Sequence, residues 1–149
     1  MGKINRFEDL RCWQASRRLV GGIYKASESG RLSRDFETRG QLKRAALSSM
    51  NNIAEGFGKF SNKEFIRYLD ISQSSALEVK SILYVLIDMN YLTTDKIAEL
   101  QLLCDEVRGL TLGLIKYLRT KQKLNCQVNA SDHLERNVNT SNINTSALL

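Results

Sequence analysis

The chain has 149 residues, no proline, three cysteines and a net charge of +6, and is long enough for one domain with a real core. No run of about 18 apolar residues is present for a membrane span, and the N-terminus lacks the apolar centre of a signal peptide, so a cytoplasmic location is expected. Cys12, Cys104 and Cys126 are widely spaced, with no Cys-x-x-Cys pair; they read as reduced thiols and argue against a disulfide framework or a zinc site.

The absence of proline suits long uninterrupted helices, because proline removes a helical donor and clashes with the preceding turn. The charge is uneven. Residues 1–70 carry 14 Lys/Arg against 8 Asp/Glu, whereas residues 71–149 carry 8 of each. All the excess positive charge belongs to the first half. Such asymmetry reads either as a site for an anionic partner, nucleic acid first, or as a merely basic solvated surface.

A first helix is expected to start near Asn5, which can cap it, with Glu8 three residues on. At about 100° per residue, Cys12, Ser16, Leu19, Val20, Ile23 and Ala26 share one side, with Trp13 at its border. Arg11, Arg18 and Lys25 recur every seven residues on the opposite side, either as a solvated face or as phosphate contacts. Gly21-Gly22 interrupts the pattern at roughly 1 kcal/mol per glycine, which close helix approach or local fraying would explain.

Gly30 marks a turn within residues 29–33. A second helix follows, from Ser33 or Asp35 to Phe57. Its apolar stripe is Leu42, Ala46, Met50, Ile53, Ala54 and Phe57, and Gly56 and Gly58 are expected to end it in the left-handed conformation. Gln41, Arg44, Ser48, Asn52 and Glu55 make a separate polar stripe at helical spacing. That stripe reads either as a solvated face or as a hydrogen-bonded seam against a neighbouring subunit. In the seam, Arg44 pairs with Glu55 or with Glu78 of the third helix.

Ser61-Asn62-Lys63-Glu64 forms a capping box, flanked by Phe60 and Phe65 in the positions of a hydrophobic staple. The third helix runs from there to about Met89. Its main apolar face holds Phe65, Tyr68, Leu69, Ala76, Val79, Leu83 and Leu86. Ile71, Ile82, Val85 and Met89 form a second patch, and Ile66, Leu77 and Tyr84 lie on a third side. A helix this apolar needs burial on more than one flank, which predicts a subunit interface. Thr93 caps the fourth helix, with Leu92 and Ile97 as a second staple. Leu100, Leu103, Val107, Leu110, Leu114 and Leu118 form its seam to about Arg119.

The fold expected is therefore all-α, an antiparallel up-down-up-down four-helix bundle over residues 1–120, with a disordered Asn/Ser/Thr-rich tail over residues 121–149. The only histidine, His133, falls in that tail, and neither a phosphate-binding loop nor a dinucleotide motif is present. Glu55, Glu64, Asp70 and Glu78 show no spacing that selects metal or glycosidic chemistry. A non-enzymatic protein without cofactor or metal is expected.

The residues Asp35-Phe36, Gln41, Arg44-Ala45, Ser48 and Asn52-Ile53-Ala54-Glu55-Gly56-Phe57 together resemble a known family, the bacterial four-helix bundle proteins encoded in intervening sequences of large-subunit ribosomal RNA genes. The likeness includes Phe7, Leu10 and Trp13-Gln14, then Ser61, Glu64-Phe65, Leu69, Ser75, Glu78 and Tyr91-Leu92, and covers about residues 7–119. Leu32-Ser33 stands where the family usually has a Phe-Pro turn, and Ser72 and Ser74 where it often has a small residue and glycine. The resemblance implies an antiparallel bundle. The related accessory protein of diversity-generating retroelements is a basic homopentameric barrel that binds nucleic acid and a reverse transcriptase, so a pentamer is expected here too.

The expected activity is binding of RNA or DNA phosphates with weak sequence preference. Arg11, Arg17, Arg18, Lys25, Lys43 and Arg44 are the first contacts expected, with Lys59, Lys63 and Arg67 next. Gln41, Arg44, Ser48, Asn52, Glu55 and Glu78 form the structural polar seam. The alternative is a scaffold or accessory factor for a nucleic-acid enzyme such as a reverse transcriptase.

Overall fold

The computed structural model describes residues 4–143, with side chains described for residues 4–127. It is all-helical: α1 spans Arg11–Ala26, α2 Phe36–Phe57, α3 Asn62–Asp88 and α4 Thr94–Ile143, and no strand occurs among the described residues. By its internal contacts the chain divides into two units, Met1–Ile115 and Lys116–Leu149.

The first helix begins later than Asn5. Phe7–Asp9 instead forms a single 3-10 turn, and Leu10, extended and buried, separates it from α1. The Phe7 ring meets Trp13 edge-on at 5.1 Å, and Gln14 Nε2 donates to the Glu8 carbonyl at 2.9 Å. These contacts fold the turn back on α1, a tertiary effect that a capping pattern cannot display. Of the two candidates for the start of α2, Asp35 is the cap: its carboxylate accepts from the Thr38 amide at 3.0 Å. Ser61 caps α3, accepting from the Glu64 amide at 3.2 Å, while its hydroxyl donates to the Glu64 carboxylate at 3.0 Å. The staple beside it does not form. Phe60 is fully exposed, and Phe57 packs edge-on against Phe65 instead, at 6.1 Å. The Thr93 hydroxyl accepts from the Lys96 amide at 3.3 Å, and Leu92 packs on the core cluster that contains Ile97.

One apolar cluster draws on all four helices: Leu19 and Ile23 from α1, Leu42 from α2, Val79, Leu83 and Leu86 from α3, and Ile97, Leu100 and Val107 from α4. Each such side chain contributes about 1.5–3 kcal/mol, against about 1 kcal/mol for a cap, so the shared core dominates. The stripes are shifted from those expected. In α2 the buried positions include Ala45, Ser49 and Gly56, while Met50, Ala54 and Phe57 are half-buried. In α4, Cys104 and Thr111 are fully buried, Leu103 and Leu110 pack against the core from its edge, and Leu114 is half-buried. Thr111 is accommodated because its hydroxyl donates to the Val107 carbonyl at 2.7 Å.

Two glycines act differently from expectation. Neither Gly56 nor Gly58 is left-handed; among the described glycines only Gly30 has positive φ, at 68°. Gly56 is required for proximity, since a Cβ there would lie 2.6 Å from the Tyr68 Cβ and 2.8 Å from the Phe65 ring. The left-handed position after α3 falls to Asn90, at φ 53°, a residue that tolerates it. The helix expected to end at Arg119 continues to Ile143, so residues 121–143, read as a disordered tail, are helical. No glycine or proline follows Gly113, and Asn, Ser and Thr each lower helix propensity by only a few tenths of a kcal/mol. Residues 144–149 of that tail lie outside the described residues.

Candidate nucleic-acid interface

The most ordered polar arrangement lies between α2 and α3. Arg44 donates to Gln41 at 2.9 Å, and Gln41 in turn donates through Nε2 to Glu78. The sequence suggested a direct Arg44–Glu78 or Arg44–Glu55 pair; the amide of Gln41 bridges the first, and Glu55 is exposed without a hydrogen bond among the described residues. Asn52 Nδ2 donates to the Ser48 carbonyl at 2.8 Å and to its hydroxyl at 3.2 Å. The Ser48 and Ser75 hydroxyls meet at 2.9 Å, and Ser75 also donates to the Ile71 carbonyl at 2.9 Å. Five of the six expected seam residues are thus hydrogen-bonded, joined by Ser75.

A deeper serine set runs beside this seam. Ser72 donates to the Ser49 carbonyl at 2.7 Å, and the Ser49 and Ser16 hydroxyls lie 3.5 Å apart, all three residues being fully buried. Buried hydroxyls cost energy unless paired, and these are paired. The signal for them was present in the small residues Ala45, Ser49 and Gly56 of α2 and Ser72, Ser75 and Ala76 of α3. Small side chains let two helices approach closely.

The nine expected phosphate contacts divide into groups. Arg11 and Lys25 of α1 are exposed and make no hydrogen bond or ion pair among the described residues, as do Lys63 and Arg67 of α3. Arg18 pairs with Glu106 of α4 at 2.5 Å, but both side chains are about half exposed, and such a pair is worth roughly 0–1 kcal/mol. The ion pair therefore holds Arg18 only weakly. The Arg17 guanidinium lies 5.8 Å from the Trp13 ring centroid, and Arg17, Arg18, Trp13 and Gln14 share an open concavity of about 730 Å³ with Arg6 and Glu8. Lys43 rests over Tyr24 of α1 at 4.3 Å, and Lys59 over Tyr68 at 5.0 Å. Arg44 points to the seam, which makes it a structural residue first.

Burial pushes the Cys12 thiol up to about 11 and the Cys104 thiol up to about 12, so both are neutral near pH 7. No cluster of three metal-binding side chains occurs among the described residues, nor any helix long and apolar enough to cross a membrane. Sequence reading also passed over Arg31, Arg34 and Arg39, three arginines within nine residues around the start of α2.

A four-helix, all-α protein with a basic first half and a serine-rich α2–α3 contact is the class defined by these features. The chain belongs to the 23S rRNA-intervening sequence protein family, whose pattern it matches over residues 8–113. It is similar to the crystal structure of a protein of unknown function from the S23 ribosomal protein family of Bacteroides thetaiotaomicron, with 25% sequence identity and a TM-score of 0.64, over 70% of this chain and 98% of that one. No curated protein matches the chain.

Proposed function

We propose that this protein is a non-enzymatic, homo-oligomeric nucleic-acid-binding bundle that holds RNA or DNA by its phosphates. The observation that carries the proposal is the placement of unpaired cations: Arg11, Lys25, Lys63 and Arg67 are exposed and free of acidic partners among the described residues, in the half of the chain that holds the whole charge excess. Binding is weakly sequence-specific, because phosphate contacts position a nucleic acid without reading its bases. It falls steeply with salt, at about −0.9 in the log–log slope per neutralised phosphate on duplex DNA. A fluorescence titration with structured RNA and duplex DNA at two salt concentrations tests it; no binding to either at low salt refutes it.

The helices are proposed to run up-down-up-down. The α2–α3 contacts support this, since Ser48 meets Ser75 whereas Gln41, two turns earlier in α2, meets Glu78 further along α3. Self-association is proposed on the exposed Ile71, Val85 and Met89 of α3, which exceed what one bundle buries, and the homopentamer is the assembly that the family resemblance implies. Three free cysteines suit the reducing cytoplasm proposed as the location. The second reading, a scaffold for a nucleic-acid enzyme such as a reverse transcriptase, is favoured by Leu77 and Tyr84, exposed on the side of α3 away from the core.

A further inference from the structure

The α1–α2 link carries a basic and aromatic cluster that lies outside the nine contacts above. Phe36, the first residue of α2, is 73% exposed. It is not loosely placed. The Arg39 guanidinium lies 4.8 Å from its ring centroid, and Arg39 Nη1 donates to the Ser33 carbonyl at 2.6 Å. The arginine is tied to the preceding 3-10 turn, Leu32–Arg34, and the ring is held against the arginine. One face of Phe36 is thereby supported by a fixed cation while most of the ring stays open to solvent.

Beside it, Arg31, Arg34, Asp35 and Tyr91 line a concavity of about 280 Å³. The Arg31 guanidinium lies 5.1 Å from the Tyr91 ring centroid, and the Tyr91 hydroxyl donates to Asp35 at 3.2 Å. Arg31 and Arg34 are three residues apart in 3-10 geometry, which sets both side chains on one side. Asp35 and Glu37 are the opposing charges in this segment. Asp35 is engaged by the Thr38 amide and Tyr91, which leaves Glu37 as the one free acid against Arg31, Arg34 and Arg39.

An exposed ring backed by a fixed guanidinium, next to two further arginines, matches the needs of an unpaired nucleotide. Bases stack on aromatic faces regardless of sequence, and arginines track the phosphates. A duplex keeps its base faces covered and has no use for the ring. We infer that Phe36, supported by Arg39, is a stacking platform for an unpaired base, and that Arg31 and Arg34 hold the adjoining phosphates, so that the protein binds single-stranded nucleic acid at the α1–α2 link. This inference rests on the nucleic-acid-binding function proposed above and names the form of nucleic acid at one end of the bundle.

The test is fluorescence anisotropy at low salt on the full chain, with a labelled short oligouridylate and a blunt RNA duplex of equal length. Phe36→Leu keeps an apolar side chain at an exposed position and removes the aromatic face. It should weaken oligouridylate binding about fivefold or more, as expected for loss of one stacked base, with duplex binding changed less than about twofold. Phe36→Trp should restore the single-strand affinity. Equal oligouridylate affinity of Phe36→Leu and wild type overturns the inference while leaving the general function standing. Wild-type binding to the duplex alone overturns it too. Wild-type binding to neither probe overturns both. Displacement of oligouridylate by polyglutamate with the same dependence on Phe36 would make this an acidic-peptide site and overturn it as well.

Discussion

The Ser72 hydroxyl of α3 donates to the Ser49 carbonyl of α2 at 2.7 Å, with both residues fully buried. A polar side chain therefore joins two helices at a point where an apolar one would ordinarily pack. Ser72→Ala removes the donor and should cost about 0.5–1.5 kcal/mol. Ser72→Val also inserts volume at a close contact and should cost about 1–3 kcal/mol. Urea unfolding followed by far-ultraviolet circular dichroism measures both; a valine variant as stable as the wild type would show that the helices are not tightly apposed there.

Gly56 and Gly21 should respond to alanine with opposite signs. At Gly56 the new Cβ would fall 2.6 Å from the Tyr68 Cβ, close to backbone that cannot yield cheaply, whereas at Gly21 it meets nothing within 4 Å. Gly56→Ala should destabilise by about 1–3 kcal/mol. Gly21→Ala should stabilise by about 0.5–1 kcal/mol through helix propensity. Thermal unfolding of the two variants checks the sign at each site.

The Thr38 amide is the main cause holding the Asp35 carboxyl below its ordinary value of 3.8, with further help from Tyr91. A carboxyl depressed in the folded state adds stability above its unfolded value, and that contribution is lost as pH falls through the folded one. Stability should therefore decline on acidification below about pH 4, in part through Asp35. Asp35→Asn keeps a capping oxygen but does not titrate. The Tm difference between wild type and Asp35→Asn should shrink between pH 6 and pH 2; a constant difference would remove Asp35 from the acid response.

Val85 is the sharper probe of self-association. Ile82, of the same patch, is half-buried and packs against the core, so a charge there would damage the monomer. Val85 is 48% exposed. Light scattering of the wild type should give a mass several-fold above 16.9 kDa. Val85→Asp should lower that mass while the helical dichroism is unchanged, and a wild-type monomer would refute the interface.

Periodicity and capping chemistry made the four helices, two of their caps and most of the core legible, because amphipathic spacing and local hydrogen bonds depend on near neighbours in the chain. The polar seam was legible for the same reason: Gln41, Arg44, Ser48 and Asn52 are spaced to meet along one helix. What spacing cannot display is contact between distant residues. Whether Phe57 or Phe60 covers Phe65, and whether Gly56 ends a helix or admits Tyr68, is decided by the approach of α2 to α3.

The sequence by itself determined an all-helical chain, its membership of the intervening-sequence family and the confinement of its excess charge to the first half. Only the tertiary structure decided that serines line the α2–α3 contact, that Gln41 links Arg44 to Glu78, and that Arg39 braces an exposed Phe36. Each of these depends on residues brought together across a helix–helix contact or a turn, where small side chains and fixed guanidinium geometry, and not hydrophobic period, set what can touch.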